Sequence, residues 1–208
     1  MALCRLRLHA DRYEVIERAW PCSSHSESSL HVNHGGVAVV AVPAVRLKAV
    51  DVGFWPSTFE CVAAHVTSGI LSCLIIVYRP GMSPVTANFT FELGNLLDQQ
   101  STSANPVIVA SDVSIRLERT SEPSTVELNK LLACYSLTQH VDGATHDAGG
   151  TLDAVCTRLD LPSLTVNILD IGLPDHRLLC WSSQQQHLPL VYTSSTWRFW
   201  SHFHSEAS

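Results

Sequence analysis

"PVIVASDVSIRLE", residues 106–118, decides how this chain is read. Four apolar positions, Val107 to Ala110, run into Ser111-Asp112 and then break into a polar, charged stretch. A run of that kind is a buried strand, and it ends on a carboxylate. Asp112 has two readings. It is a turn former, because Asp hydrogen-bonds its own backbone at strand ends. Alternatively, it is a catalytic carboxylate held at the carboxyl edge of a sheet.

Outward from this strand the chain is rich in short apolar runs. "GGVAVVAV" (35–42) is a glycine-led strand ended by Pro43, and "VRLKAVDV" (45–52) alternates as a half-exposed one. "TFECVAAHVTS" (58–68) and "ILSCLIIVYRP" (70–80) read as a hairpin joined at Ser68-Gly69. The near-continuous stretch Leu71 to Val77 belongs in the middle of its sheet. "TANFTFELGNLLDQQ" (86–100) is a helix with Phe89, Leu93, Leu96 and Leu97 on one face. "SEPSTVELNKLLACY" (121–135) is a second helix, with Ser124 and Glu127 at capping-box spacing. Short strands are expected in 136–141, 151–157, 165–173 and 177–181. The result is a strand-rich α/β or α+β domain of eight or nine strands with few helices and no internal repeat.

Residues 1–33 read as an irregular segment, 34–181 as the domain, and 182–208 as a linker-like tail. A docked tail anchored by Trp197 and Trp200 is the alternative. At 208 residues and 46% hydrophobic composition, one domain can bury a substantial core. No stretch approaches the roughly 18 apolar residues of a membrane span. The start lacks the apolar core of a secretory signal, so an intracellular protein is expected. Seven cysteines, none in a C-x-x-C pair, read as buried free thiols rather than bridges or a zinc site. A net charge of −6 argues weakly against a broad electrostatic DNA footprint, but leaves room for a carboxylate-rich metal site.

Three aspartates stand beside short apolar strands: Asp112, Asp153 in "GGTLDAV", and Asp175, followed at once by His176. The stretches "HGGVAVVA", "IIVYRPG", "FELGNLLD", "PVIVASDVS", "LLACYSLTQHVDGATHDAGGTLDAV" and "LDIGLPDHRLLCW" occur in the order of a known family. Over roughly 34–181 the chain resembles the endonuclease/exonuclease/phosphatase superfamily. In particular it is similar to the apurinic-like endonuclease domains of non-long-terminal-repeat retrotransposons.

The resemblance implies a four-layered α/β sandwich of two packed mixed sheets flanked by helices. It implies a Mg2+- or Mn2+-dependent phosphodiesterase that nicks DNA, acts in the nucleus and accompanies a reverse transcriptase. Asp112 would polarise the attacking water, and Asp175 would sit in the magnesium cluster. His176 would donate to the scissile phosphate with Asp153 orienting its ring, and Tyr78 would lie near the phosphate. The types suit the task, since in-line displacement needs a hard cation, oxygen ligands and donors on the phosphoryl oxygens.

Four departures stand out. Ser114 replaces the motif asparagine, Ser111 the motif glycine, and Pro174 a serine. The Glu that serves the family as a principal magnesium ligand has no counterpart before Gly35. Glu14 and Glu17 read as solvated, in a segment resembling the one that follows the ligand, so the first strand and helix are expected to be missing. Activity is therefore expected to be impaired, with magnesium binding weakened. A non-catalytic relic with weak nucleic-acid binding is the alternative, and a small-molecule phosphatase a more distant one.

Overall fold

The computed structural model describes residues 13–18, 36–68, 72–81, 84–101, 105–158, 164–172, 175–182 and the strand 191–194. Its centre is a six-stranded mixed sheet. In chain order the strands of that sheet are β3 (Leu47–Val50), β4 (Glu60–Val66), β5 (Ser72–Tyr78), β6 (Val107–Asp112), β7 (Leu137–Gln139) and β8 (Asp153–Arg158). They lie in the order β3-β4-β5-β6-β8-β7. The parallel pair β5–β6 needs a crossover, which helix α1 (Ala87–Ser101) supplies; the other pairs are antiparallel. β5 is central, as its unbroken apolar sequence requires of a strand covered on both faces.

One face of this sheet packs on α1 and on α2 (Pro123–Cys134). Phe89, Leu93, Leu96 and Leu97 of α1 are all buried there, with Leu128 and Leu132 of α2. They meet Cys61, Ala63, Ile75, Val77 and Val109, one parity of the strands. The other parity, including Val62, Ala64, Leu74, Ile108, Ala110 and Val155, meets a second layer of strands. That layer contains the pair β1 (Glu14–Arg18) and β2 (Val37–Ala41), and the three-stranded sheet β11-β10-β9 (Val191–Ser194, Leu178–Ser182, Thr165–Leu169). β2 alternates buried and exposed, the pattern of a strand covered on one face only. The architecture is a mixed α/β sandwich of two sheet layers, and among the described residues both helices cover the same side.

Three expectations need correction. Residues 14–18, expected to be irregular, form β1, paired from Glu14↔Ala41 to Arg18↔Val37. Its sequence, EVIER, has too little apolar alternation to announce a strand, and the ladder to β2 supplies what the sequence lacks. Residues 191–194, expected within a linker, pair with β10 from Ser182↔Val191 to Leu179↔Ser194. Finally, α2 does not start at a Ser124 cap. Glu122 occupies the N-cap with extended backbone and no side-chain cap bond, and Pro123 opens the helix with its φ already set. Trp197, Trp200 and the Gly69 turn lie outside the described residues.

The described cysteines are free, and Cys61, Cys73 and Cys156 are buried. Burial pushes these thiols up to about 11, 11 and 12. Among the described residues no helix is long and apolar enough to cross a membrane.

Candidate active site

The strand that opened the sequence reading ends where three strands deliver polar side chains to one rim. Tyr78 is the register partner of Asp112 across the parallel β5–β6 pair, and Asp112 is that of Asp153 across the antiparallel β6–β8 pair. Directly paired residues share a face. Two residues further in along each strand, Ile76, Ala110 and Val155 belong to the core between the two layers. Tyr78, Asp112 and Asp153 therefore form a row at the mouth of the space between the sheets.

Asp112 fulfils both of its readings at once. Its Oδ1 accepts the Ser114 backbone N–H at 3.0 Å, which is the Asx turn expected at a strand end. The Ser114 hydroxyl lies 3.0 Å from the same oxygen and 3.2 Å from the Arg79 carbonyl, and donates its proton to one of them at a time. The other oxygen, Oδ2, faces His176 Nε2 at 3.8 Å. Asp112 is 2% exposed. A buried carboxylate in this position is kept in place by backbone geometry, and Arg79 provides much of it. The Arg79 N–H donates to the Asp112 carbonyl (2.8 Å), its Nε to the Val113 carbonyl (2.6 Å), and its Nη2 to the Ser114 carbonyl (2.8 Å). Burial lowers the Arg79 pKa, while Asp112 and Tyr78 oppose that shift. Ser114 itself has φ 48°, the left-handed region that asparagine adopts more readily than serine. A Cβ on Gly81 would lie 3.1 Å from Ser114 Oγ, so glycine there leaves this turn its room.

His176 Nδ1 donates to Asp153 Oδ2 at 3.1 Å, which turns Nε2 toward Asp112. The loop between β7 and β8 sets this histidine in place. Arg177 N–H donates to the Thr145 carbonyl and Asp147 N–H to the Asp175 carbonyl. The Thr145 hydroxyl accepts from the Leu152 and Asp153 N–H groups, so the same threonine steadies both partners. His146 lies edge-to-face with His176, ring centroids 5.1 Å apart and planes at 82°.

One ligand atom each of Asp112, Asp153 and His176 lies within 4.8 Å of the others. The two carboxylates are oxygen donors that a hard divalent cation accepts, whereas the imidazole is a softer donor. Asp175 adjoins His176 in the chain. It is exposed, has φ 70°, and is not among the residues gathered in that cluster. Pro174 lies outside the described residues. Glu14 is not simply solvated, since its Oε2 accepts the Leu47 N–H at 3.1 Å and holds the start of β3; Glu17 is exposed.

Sequence reasoning missed Arg79, Thr145, His146 and Glu60. Glu60 is the register partner of Tyr78 across β4–β5, so it extends the polar row to a fourth strand. A signal for it was present: a charged residue two positions before Val62, opening a strand that is apolar from Cys61 to Ala64. The others act through contacts between residues distant in the chain, which no local pattern encodes.

No family model and no curated protein matches the sequence. Solved structures do match the fold. The human Nocturnin catalytic domain, with bound sulfate anion, superimposes with a TM-score of 0.54 at 20% identity, over 84% of this chain and 73% of its own. D. rerio TDP2, complexed with a single-strand DNA product, gives 0.50 at 16% identity, over 81% of this chain and 76% of its own. Two sheet layers, a helix-covered face and a polar row at one rim thus occur together in a chain whose fold is similar to that of these two structures, which are endonuclease/exonuclease/phosphatase-fold proteins.

Proposed function

We propose that this chain is a divalent-metal-dependent phosphodiesterase that nicks DNA, descended from a retrotransposon endonuclease domain and slowed by the loss of the motif asparagine. The observation that carries the reading is the meeting of Asp112, Asp153 and His176, up to 64 positions apart in the chain, within 4.8 Å at one rim. DNA as substrate class is supported by the TDP2 structure of the same fold, which holds a single-strand DNA product. Retrotransposon ancestry, a nuclear site of action and a reverse transcriptase as partner rest on the sequence stretches alone.

Asp112 orients the attacking water with the oxygen not used in its turn. Asp153 fixes the His176 tautomer, so that Nε2 faces the rim and, when protonated, donates to a phosphoryl oxygen. Tyr78 sits beside them at the phosphate. Asp112 and Asp153 offer carboxylate oxygens for Mg2+ or Mn2+, and Asp175 is proposed as a further carboxylate for the ion; His176, with Nδ1 on Asp153, keeps Nε2 for the phosphate. When bound, the cation supplies charge neutralisation at the phosphate. Ser114 places a short hydroxyl where a planar amide would position the water. Losing one such group costs about 10²–10³ in rate.

Supercoiled plasmid incubated with Mg2+ or Mn2+ tests the reading. Nicking that disappears in EDTA and in His176→Ala supports it. Absence of nicking by the intact protein with either metal overturns it and favours the non-catalytic relic, which the serine at 114 and the outlying Asp175 also suit.

A further inference from the structure

Glu60 is a buried titratable group of the polar row to which the proposed reaction assigns no role. It opens β4, 5% exposed, and neither Oε1 nor Oε2 has a hydrogen-bond partner. A buried carboxyl without partners is costly, and proteins retain such groups where they serve chemistry. Its place is specific. Register carries the row Glu60–Tyr78–Asp112–Asp153 across β4, β5, β6 and β8, all on the inter-sheet face. Glu60 is set about as deep as Asp112, at 5% against 2% exposure. Two strand spacings separate the two carboxylates, roughly 9–10 Å between backbones. An in-line displacement needs a group at each end of the attacking-oxygen, phosphorus, leaving-oxygen axis, and that separation spans it.

We propose that Glu60 is the general acid of this site, protonating the leaving oxygen on the side of Tyr78 away from Asp112. The inference rests on the phosphodiesterase reading above. In the step, the water oxygen bonds to phosphorus as the bond to the leaving oxygen breaks. The water's proton passes to Asp112, and the Glu60 proton passes to the departing alkoxide. Asp112 then releases its proton to solvent, and Glu60 regains one.

The surroundings let Glu60 keep a proton at neutral pH. Desolvation raises its pKa from 4.5 to about 7. The groups facing it are Tyr78 from β5 and, beyond it, Asp112. From the second layer, Arg18 of β1 is occupied by the Phe54 carbonyl (2.9 Å) and lies near Cys61 Sγ on the opposite parity, and Glu14 is bound to Leu47. Asp112 accepts from Ser114 and faces His176, whereas neither Glu60 oxygen has a hydrogen-bond partner; two carboxyls in contrasting environments divide naturally into base and acid.

The test compares Glu60→Gln with the intact protein on supercoiled plasmid, whose leaving group is a sugar alkoxide, and on bis(p-nitrophenyl) phosphate, whose phenolate needs no proton. A general acid predicts plasmid nicking down about 100-fold or more, with the aryl ester cleaved at no less than about a tenth of the original rate. Equal losses on both substrates, or no loss on either, overturn the role of Glu60 while leaving the phosphodiesterase reading intact. If the intact protein cleaves neither substrate, both fall. Independently of turnover, the Glu60 carboxyl carbon resonance, assigned by its absence from Glu60→Gln, should titrate near neutral pH; titration in the ordinary carboxylate range overturns the proposal.

Discussion

The two ends of the six-stranded sheet differ more than its two faces do. At one end Glu60, Tyr78, Asp112 and Asp153 form a row on four adjacent strands, with His176 above them. At the other, a cavity of about 640 Å³ opens between Leu97, Gln100, Val107, Tyr135, Leu137 and Arg158. Val107 and Asp112 are the two ends of β6, about 17 Å apart along the strand. Among the described residues this hollow gathers no cluster of metal-ligating groups, and the candidate site lies at the other end. Strand register concentrates reactive groups, whereas hollow volume reflects only where helix ends and strand ends fail to meet.

The sharpest way to break this comparison is His176→Ala. Nicking should fall by about 10³-fold or below detection in a plasmid assay, because the proposed phosphoryl donor is gone. The melting temperature is measured in parallel, because the side chain is only 15% exposed and its removal also takes packing from the rim. A large drop in melting temperature with nicking retained would make the row structural.

The next effect reads the rim through stability. The folded-state pKa of Glu60, about 7, lies above its unfolded value of 4.5, so the folded protein binds the extra proton between those values. Stability from this group is fully present below pH 4.5, falls as pH rises to 7, and is level above, a loss of about 3 kcal/mol. Glu60→Gln should abolish this slope and melt higher than the intact protein at pH 8, measured by circular dichroism. A variant that is more stable yet slower at nicking is the signature of a strained functional group.

A smaller effect sharpens the account of Ser114. Ser114→Asn restores an amide at a left-handed position beside Gly81, and should raise the nicking rate about 10-fold under saturating metal. No gain would mean that the water is positioned by another group. The smallest effect belongs to the far end. The Tyr135 hydroxyl donates to Asp98 Oδ1 at 2.8 Å, with the Gly94 carbonyl at 3.0 Å. Tyr135→Phe should cost about 1 kcal/mol in urea unfolding and leave nicking unchanged.

Much of this was legible in the chain, because it depends on short-range pattern. Apolar runs at 37–41, 60–66, 72–78 and 107–112 are strands, and the spacing of Phe89, Leu93, Leu96 and Leu97 marks the face that α1 buries. Period alone dictates these, since side chains alternate along a strand and recur every three to four residues on a helix. The short strands at 14–18 and 191–194 escaped, because each is stabilised by a neighbour's hydrogen bonds rather than by its own composition.

The sequence by itself determined which residues could do chemistry: Asp112 at a strand end, Asp153 opening another strand, and the Asp175-His176 pair. Only the tertiary structure decided which of them meet. It joined His176 to Asp153 and Asp112, left Asp175 outside that cluster, and added Glu60 to the row. The physical reason is register. Which residue lies opposite which is set by how distant strands pair, and a shift of one residue would turn every one of these side chains to the other face.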